Sequence, residues 1–196
     1  MIEHTEWLAS EYQQGIDGQR IAIIGYSHHD PDLENEKTNV TNTTLRAVVE
    51  QSGIAKELVF FTHIQNYFGY EATNEFWNRV LFFNFVPDLV GTDRWASATP
   101  AQIKRGRQRF ARILDEHVPN KALVFSIKGW NQLCVEQKKE YGPSPLQLSD
   151  DETKPVYGTY IGGGGATQVY QLRHPLYAAK REMTDRVREI LKQPVS

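Results

Sequence analysis

Four short apolar segments alternate with segments of helical periodicity, and this alternation constrains the fold more than any other feature. The apolar segments cover residues 20–25, 80–85, 122–126 and 168–172. Uninterrupted apolar runs of this length are typical of strands buried on both faces of a parallel sheet. The sequence therefore predicts an α/β fold, a three-layer α/β/α sandwich around a central four-stranded, mostly parallel sheet.

The elements between these strands are predicted from periodicity and capping signals. Thr99 followed by Pro100 is typical of a helix N-terminus, and that helix runs to about residue 117. Residues 56–68 favour a buried helix, with a strand through 58–61 as the alternative. Residues 137–166 are predicted to be irregular, with Gly162–Gly165 as a flexible loop. Further helices are predicted over 5–14, 41–51, 75–79 and 177–192.

Length and composition are those of an ordinary globular protein. At 196 residues the chain can form one well-buried core, so we expect a single domain over residues 1–196. The only cysteine, Cys134, excludes an intramolecular disulfide and fits a reducing compartment. The N-terminal residues contain no apolar segment of the kind found in signal peptides. We therefore expect a cytoplasmic protein without a membrane span.

Positive charge is concentrated in two segments, although the net charge is −2. This net charge argues against a histone-like nucleic-acid binder. The two segments are either solvated helix faces or sites of phosphate contact, and composition does not choose between these. They contain Lys104, Arg105, Arg107, Arg109 and Arg112 in the first, and Lys180, Arg181, Arg186, Arg188 and Lys192 in the second.

Polar side chains stand where two of the predicted strands end. Asn84 ends the second strand, and His174 follows the last one. Ligands bind to open α/β sheets outside the carboxyl ends of the strands, so the functional loops should be 25–32, 84–91, 126–130 and 173–178. An amide can hydrogen-bond a uracil-like or, in the other orientation, a cytosine-like base edge, and an imidazole can stabilise negative charge on the base.

Three short motifs in these loops resemble those of the uracil-DNA glycosylase superfamily. They are Gly25-Tyr26-Ser27-His28-His29, Leu81-Phe82-Phe83-Asn84 and His174-Pro175-Leu176. The resemblance covers roughly residues 20–192 and is to a divergent branch without the family's usual Gly-Gln-Asp-Pro-Tyr loop. It implies a uracil-DNA glycosylase-like fold and a monofunctional DNA glycosylase. Such an enzyme hydrolyses the N-glycosidic bond of an extruded uracil-like or modified pyrimidine base.

The resemblance also implies a role for each matched position. His174 would hydrogen-bond the departing base, and the loop with Ser27, His28 and Asp30 would hold the sugar and the water. The base would be bound by Asn84, Gly25, Tyr26 and His29. Pro175 would fix a turn from which Leu176 or Tyr177 enters the emptied base stack. Apart from the resemblance, the helix N-terminus at Thr99 could receive a DNA phosphate, with simple capping as the default, and Lys128 is a further candidate for DNA contact. DNA is the implied partner, with no cofactor, no metal and no obligate protein partner, and we expect a monomer.

Two departures from the family pattern leave alternatives open. Ser27 stands where the family has its water-activating Asp, and His29 stands where it has a Tyr that blocks the pocket. Catalysis could therefore rest on leaving-group stabilisation, or a residue of the segment 28–30 could orient the water. The smaller ring at His29 could also admit a C5-modified pyrimidine. The aromatic residue that stacks on the base is not identified by any motif, and the candidates are Phe60, Phe61, Tyr67 and Phe68.

Two further functions remain as alternatives. The first is a non-catalytic nucleobase or nucleic-acid binding module that uses the same pocket. The second is an unrelated small-molecule hydrolase that uses His28, His29 and Asp30. Adjacent histidines in an extended loop point in different directions, so they are a poor metal site on their own.

Overall fold

The computed structural model describes residues 4–28, 40–50, 59–91, 96–134, 139–151 and 155–194. The described residues form a mixed α/β fold with a seven-stranded sheet and six α-helices. The strands are β1 (Trp7–Leu8), β2 (Ile21–Gly25), β3 (Val80–Asn84), β4 (Lys121–Val124), β5 (Gln147–Leu148), β6 (Tyr157–Gly162) and β7 (Gly165–Gln171). The helices are α1 (Val40–Glu50), α2 (Val59–Tyr67), α3 (Thr73–Trp77), α4 (Pro100–His117), α5 (Ile127–Cys134) and α6 (Lys180–Lys192).

The sheet has a parallel centre and antiparallel edges. Its strand order is β1-β3-β2-β4-β7-β6-β5, and β3, β2, β4 and β7 run parallel to one another. These four are the strands that the apolar segments predict. The prediction of a sheet with only four strands is wrong, because β1, β6 and β5 extend it by antiparallel pairing.

The missed strands lie in segments whose patterns indicate something else. β1 lies within 5–14, where the sequence predicts a helix, and it forms because Trp7 and Leu8 pair with β3. β5 and β6 lie within 137–166, where the sequence predicts irregular structure. The run Gly162–Gly165 is the turn of the β6–β7 hairpin rather than a loop that precedes the last strand. A Cβ at Gly162 would lie 1.9 Å from Asp115 Oδ1, so the turn packs too closely on α4 for a side chain there.

A hydrophobic core lies on each face of the sheet. One core contains buried residues of α4 and α5, such as Phe110 and Trp130, together with Phe83 of β3. The other contains buried residues of α1, α2, α3 and α6, and it includes Phe82 of β3 and Leu172 after β7. Neighbouring residues of a strand point to opposite faces, which is why Phe82 and Phe83 belong to different cores. Burying each such side chain stabilises the fold by about 1.5–3 kcal/mol.

The first basic segment proves to be partly internal. Arg107 and Arg109 are buried on α4. Arg107 donates to the backbone carbonyls of Gln132, at 2.8 Å, and Gly142, while Arg109 lies 3.7 Å from the Glu6 carboxylate. These two arginines therefore hold segments of the chain together. Within the described residues, no helix combines the length and the apolar character needed to cross a membrane.

Candidate functional site

The carboxyl ends of the four parallel strands meet at one edge of the sheet, as the predicted topology requires. The pairing of β2 with β3 places Gly25 beside Asn84. The chain segments beyond the strands stay paired, because Phe85 N donates to Gly25 O at 3.0 Å and Val86 N donates to Tyr26 O at 2.8 Å. The loop after β2 is thus held against the loop after β3 at the point where both loops begin.

Asn84 lies across the end of β2, above Gly25. A Cβ built at Gly25 would stand only 2.1 Å from Asn84 Oδ1, so glycine is required for the amide to lie there. Asn84 is 7% exposed. Its amide makes no hydrogen bond to any other described residue. Both amide atoms nevertheless keep some surface that is accessible to solvent. The amide therefore reaches the surface at this edge with both its donor and its acceptor available.

His174 follows β7 and begins a short 3₁₀ helix, Pro175–Tyr177. Its Nδ1 accepts a hydrogen bond from the Leu176 backbone N–H at 3.3 Å. Because Nδ1 is the acceptor, the proton of the neutral ring is on Nε2, which is then a hydrogen-bond donor. Burial lowers the pKa of His174, so the neutral form is favoured further.

Phe60 of α2 is the aromatic residue that lies at this edge. Its ring centroid is 5.3 Å from that of His174 and 6.3 Å from that of Phe82. The other three candidates for base stacking serve the core: Phe61 contacts Trp77, Tyr67 stacks on Phe125 and Phe68 contacts Phe76. Helical periodicity alone does not distinguish the four, since the choice depends on how α2 packs on the sheet.

Asn84 ends β3 and His174 follows β7, and both lie on the same face of the sheet. Each lies two residues after a member of the same core, Phe82 and Leu172 respectively. Three strand intervals separate β3 from β7, so the two backbones are at least roughly 14 Å apart. We call the space bounded by Gly25, Phe60, Asn84 and His174 the edge crevice.

A second group of predicted residues lies on the opposite face. Tyr26 packs on the other core, and its hydroxyl accepts from the Ala98 N–H at 3.4 Å. Lys128 Nζ stands 4.8 Å above the Tyr26 ring and donates to Ser97 Oγ at 3.0 Å. The structure thus brings Tyr26 and Lys128 together, but away from Asn84. The sequence contains a signal for this separation, because Tyr26 directly follows Gly25 at the end of β2 and successive side chains along a strand point to opposite faces.

Thr99 caps α4, as Thr99-Pro100 predicts. Its hydroxyl accepts from Gln102 N at 3.3 Å, and the Gln102 side chain accepts from Thr99 N at 2.9 Å. This reciprocal capping box is the default role of Thr99; a phosphate contact by Thr99 stays a prediction.

The glycine-led loop is described only as far as residue 28. His28 Nε2 lies 2.8 Å from Thr41 Oγ1 of α1, and the His28 ring meets the His4 ring edge-on at 5.1 Å. These contacts were not predicted, since neither Thr41 nor His4 belongs to a motif. Ser27 lies two residues beyond Gly25 and is half-buried. His29 and Asp30 lie outside the described residues.

The 3₁₀ helix after His174 presents apolar side chains to solvent. Pro175 is buried, whereas Leu176 is 57% and Tyr177 is 68% exposed. Arg173, Lys180 and Arg181 are exposed on either side of this turn. We call these five exposed residues the wedge surface: Arg173, Leu176, Tyr177, Lys180 and Arg181.

One cluster of possible metal ligands occurs among the described residues. Glu6, Glu116 and His117 place ligand atoms within 4.8 Å of one another. Arg109 and Arg112 approach Glu6 Oε2 at 3.7 and 3.6 Å, respectively. Burial acts to raise the pKa of Glu6, but a hydrogen bond from its own backbone and the two arginines overcome this effect and lower the pKa. The carboxylate is therefore an ion-pair partner, and the adjacent guanidinium groups disfavour a metal ion.

Comparisons with known proteins assign no family to the chain. No known protein family and no curated protein matches the sequence. Among solved structures, a domain of unknown function (DUF1537) from Bordetella bronchiseptica, a domain-swapped dimer with bound citrate, aligns with a TM-score of 0.36 at 13% identity. The alignment covers 86% of this chain and 41% of that one. The chain thus spans about two fifths of that structure, and a likeness this weak carries no argument.

The resemblance to the uracil-DNA glycosylase superfamily is therefore wrong as a family assignment. It rested on three motifs of three to five residues, whereas no family matches the chain as a whole. Apolar strands are expected wherever a parallel sheet is buried on both faces. Polar residues such as Asn or His are common where such strands end. Motifs this short do not distinguish one α/β family from another.

Proposed function

We propose that the edge crevice binds a pyrimidine-like nucleobase and that the protein hydrolyses the N-glycosidic bond of such a base in DNA. One observation carries the proposal. The Asn84 amide is without a hydrogen-bond partner among the described residues, on the same face of the sheet as a neutral His174. Amide groups that are nearly buried are normally paired. A ligand with complementary donors and acceptors would supply the missing partners.

The chemistry of the Asn84 amide fits one edge of a pyrimidine. It can donate to O4 and accept from N3–H of a uracil-like base. In the other orientation it can accept from N4–H and donate to N3 of a cytosine-like base. Asn84 therefore favours pyrimidine edges in general and does not choose between these two bases.

His174 would act on the leaving group. When the bond between C1′ and the base nitrogen breaks, its electron pair stays with the base, and negative charge develops on O2. The Nε2–H of a neutral His174 would donate a hydrogen bond to that oxygen. A water molecule would add its oxygen to C1′, and its proton would pass to the departing base. One such donor in a dry site contributes about 3 kcal/mol to transition-state stabilisation.

Activation of the water is the weaker part of the proposed reaction. Ser27 lies two residues after Gly25, but a hydroxyl is a poor general base at neutral pH. We therefore assign most of the catalysis to stabilisation of the leaving base. Asp30 and the two histidines before it stay candidates for orienting the water.

The wedge surface supports DNA as the substrate. Exposed apolar side chains beside a base pocket can fill the space left by an extruded base. The cations on either side of them suit a phosphate backbone. The proposal includes a three-layer α/β/α arrangement, because the helices of the two cores then leave only the strand ends open to a long substrate.

A non-catalytic nucleobase-binding module is the second candidate. It is favoured by Ser27, since the loop as far as residue 28 contains no carboxylate. Such a module would bind base-containing DNA and release no base. The third alternative, a small-molecule hydrolase that uses His28, gains no support, because His28 Nε2 contacts the Thr41 hydroxyl.

An excision assay tests the proposal. Single-stranded and duplex oligonucleotides would carry uracil, hypoxanthine, 5-hydroxymethyluracil or glucosylated hydroxymethylcytosine, and abasic sites would be detected by alkaline cleavage. We expect excision of at least one pyrimidine and a loss of about 100-fold or more in His174→Ala. Asn84→Ala should reduce the excision rate by a similar factor. Asn74→Ala, at an exposed position, should leave the rate unchanged. Binding by a folded wild-type protein without excision would establish the second candidate instead.

A further inference from the structure

Two aromatic rings from different elements contact the imidazole of His174. The Phe60 ring of α2 is at a centroid distance of 5.3 Å, and the Tyr177 ring of the 3₁₀ helix is at 5.6 Å. Tyr177 is 68% exposed, whereas Phe60 is half-buried. The two rings thus differ: one extends from the interior and the other stands in solvent.

Phe60 is tied to the part of the sheet that carries Asn84. Its ring contacts Phe61, at 5.3 Å, and Phe82, at 6.3 Å. Phe82 precedes Asn84 by two residues on β3 and points to the same face. Phe60 therefore connects the two ends of the edge crevice, because one ring touches both His174 and the strand of Asn84.

Charged groups around His174 would not stabilise an imidazolium. The titratable or charged side chains on α2 and on the segment 173–181 are His63, Tyr67, Tyr177 and the three cations of the wedge surface. Neither α2 nor the segment 173–181 contains a carboxylate. Protonation of Nδ1 would also remove the acceptor of the Leu176 N–H. Burial disfavours the charged form of His174 still further.

We propose that Phe60 is a positioning residue that acts through His174: its ring holds the imidazole neutral, with Nε2–H as the donor at the edge crevice. This inference rests on the proposed function for its catalytic consequence, but the state of His174 can be measured without any substrate. Tyr177 contacts the imidazole from an exposed position, so the half-buried Phe60 makes the larger contribution in the free protein.

The test combines histidine NMR with the pH dependence of excision. Long-range ¹H–¹⁵N spectra would give the tautomer and pKa of His174 in the wild type, Phe60→Leu and Phe60→Tyr. In the wild type we expect the Nε2–H tautomer and a pKa below the ordinary value of 6.5. Phe60→Leu should raise that pKa by roughly half a unit or more. The acid limb of the excision rate should move to higher pH by the same amount, while Phe60→Tyr should retain the wild-type values.

Phe68→Leu is the matched control, because Phe68 follows the same helix but packs on Phe76 at 4.8 Å. It should leave the His174 titration unchanged even if it lowers stability. An unchanged titration in folded Phe60→Leu, or an equal shift in Phe68→Leu, would overturn the inference. A shift in Phe60→Leu alone, in a protein that excises no base, would uphold the role of Phe60 and reject the glycosylase proposal.

Discussion

Gly25 is the residue on which the position of the Asn84 amide depends. A Cβ at residue 25 would stand 2.1 Å from Asn84 Oδ1. Gly25→Ala should therefore push the amide out of the edge crevice and lower the affinity for a base-containing oligonucleotide by about tenfold or more, the loss of roughly one hydrogen bond to a ligand. The fold itself should lose about 1–3 kcal/mol, as is usual for overpacking. Fluorescence-anisotropy titration and urea unfolding would measure the two effects.

Gly163→Ala is the control for this substitution. A Cβ at Gly163 would meet no atom within 4 Å, so this variant should keep the wild-type affinity. If Gly25→Ala binds as well as Gly163→Ala, the Asn84 amide does not contribute to binding from the position described.

At the scale of elements, the sequence predicts the buried parts of the fold and misses the paired edges. Continuous apolar runs indicate β2, β3, β4 and β7, because these strands are covered on both faces. β1 and β6 carry no such run and exist only through pairing with β3 and β7. Strand position likewise predicts that Asn84 and His174 lie at one edge. Phe60 is selected from four aromatic residues only by the packing of α2.

The first turn of α4 fastens the loop that follows Asn84. Gln102 closes the capping box with Thr99, and its Nε2 also donates to Leu89 O at 3.2 Å. Arg105 and Asp88 form an ion pair one turn later. The Gln102 side chain thus joins the N-terminus of α4 to the loop after β3.

Gln102→Ala should lower the free energy of unfolding by about 1–2 kcal/mol, because it removes the capping box and the bond to Leu89. Gln108→Ala, an exposed position on the same helix, should change it by less than about 0.5 kcal/mol. Urea denaturation of the two variants gives the comparison. Equal stability of both variants would mean that the loop after β3 is held by other contacts.

At the scale of the whole molecule, charge is distributed unequally between buried and exposed positions. The protein carries a net charge of −2, so it has no general attraction for nucleic acid. Two arginines of α4 are engaged inside the molecule, whereas the cations of the wedge surface are exposed beside Leu176 and Tyr177. A DNA-binding protein with this charge distribution would bind through one local region. The number of phosphate contacts made by that region would then set how strongly its affinity depends on salt concentration.

The cations at the two ends of α6 should contribute differently to the salt dependence of DNA binding. Lys180 and Arg181 belong to the wedge surface and open α6, whereas Arg188 and Lys192 lie on the same helix towards its other end. Each phosphate contact contributes about 0.7 for single strands, or about 0.9 for duplex, to the slope of log K against log salt concentration. Lys180→Gln with Arg181→Gln should therefore reduce the slope by roughly 1.4–1.8, with helix content unchanged. Arg188→Gln with Lys192→Gln removes the same charge from α6, so a general electrostatic effect would reduce both slopes equally. A reduction confined to the first pair would instead locate the DNA backbone beside His174, where an extruded base would have to enter.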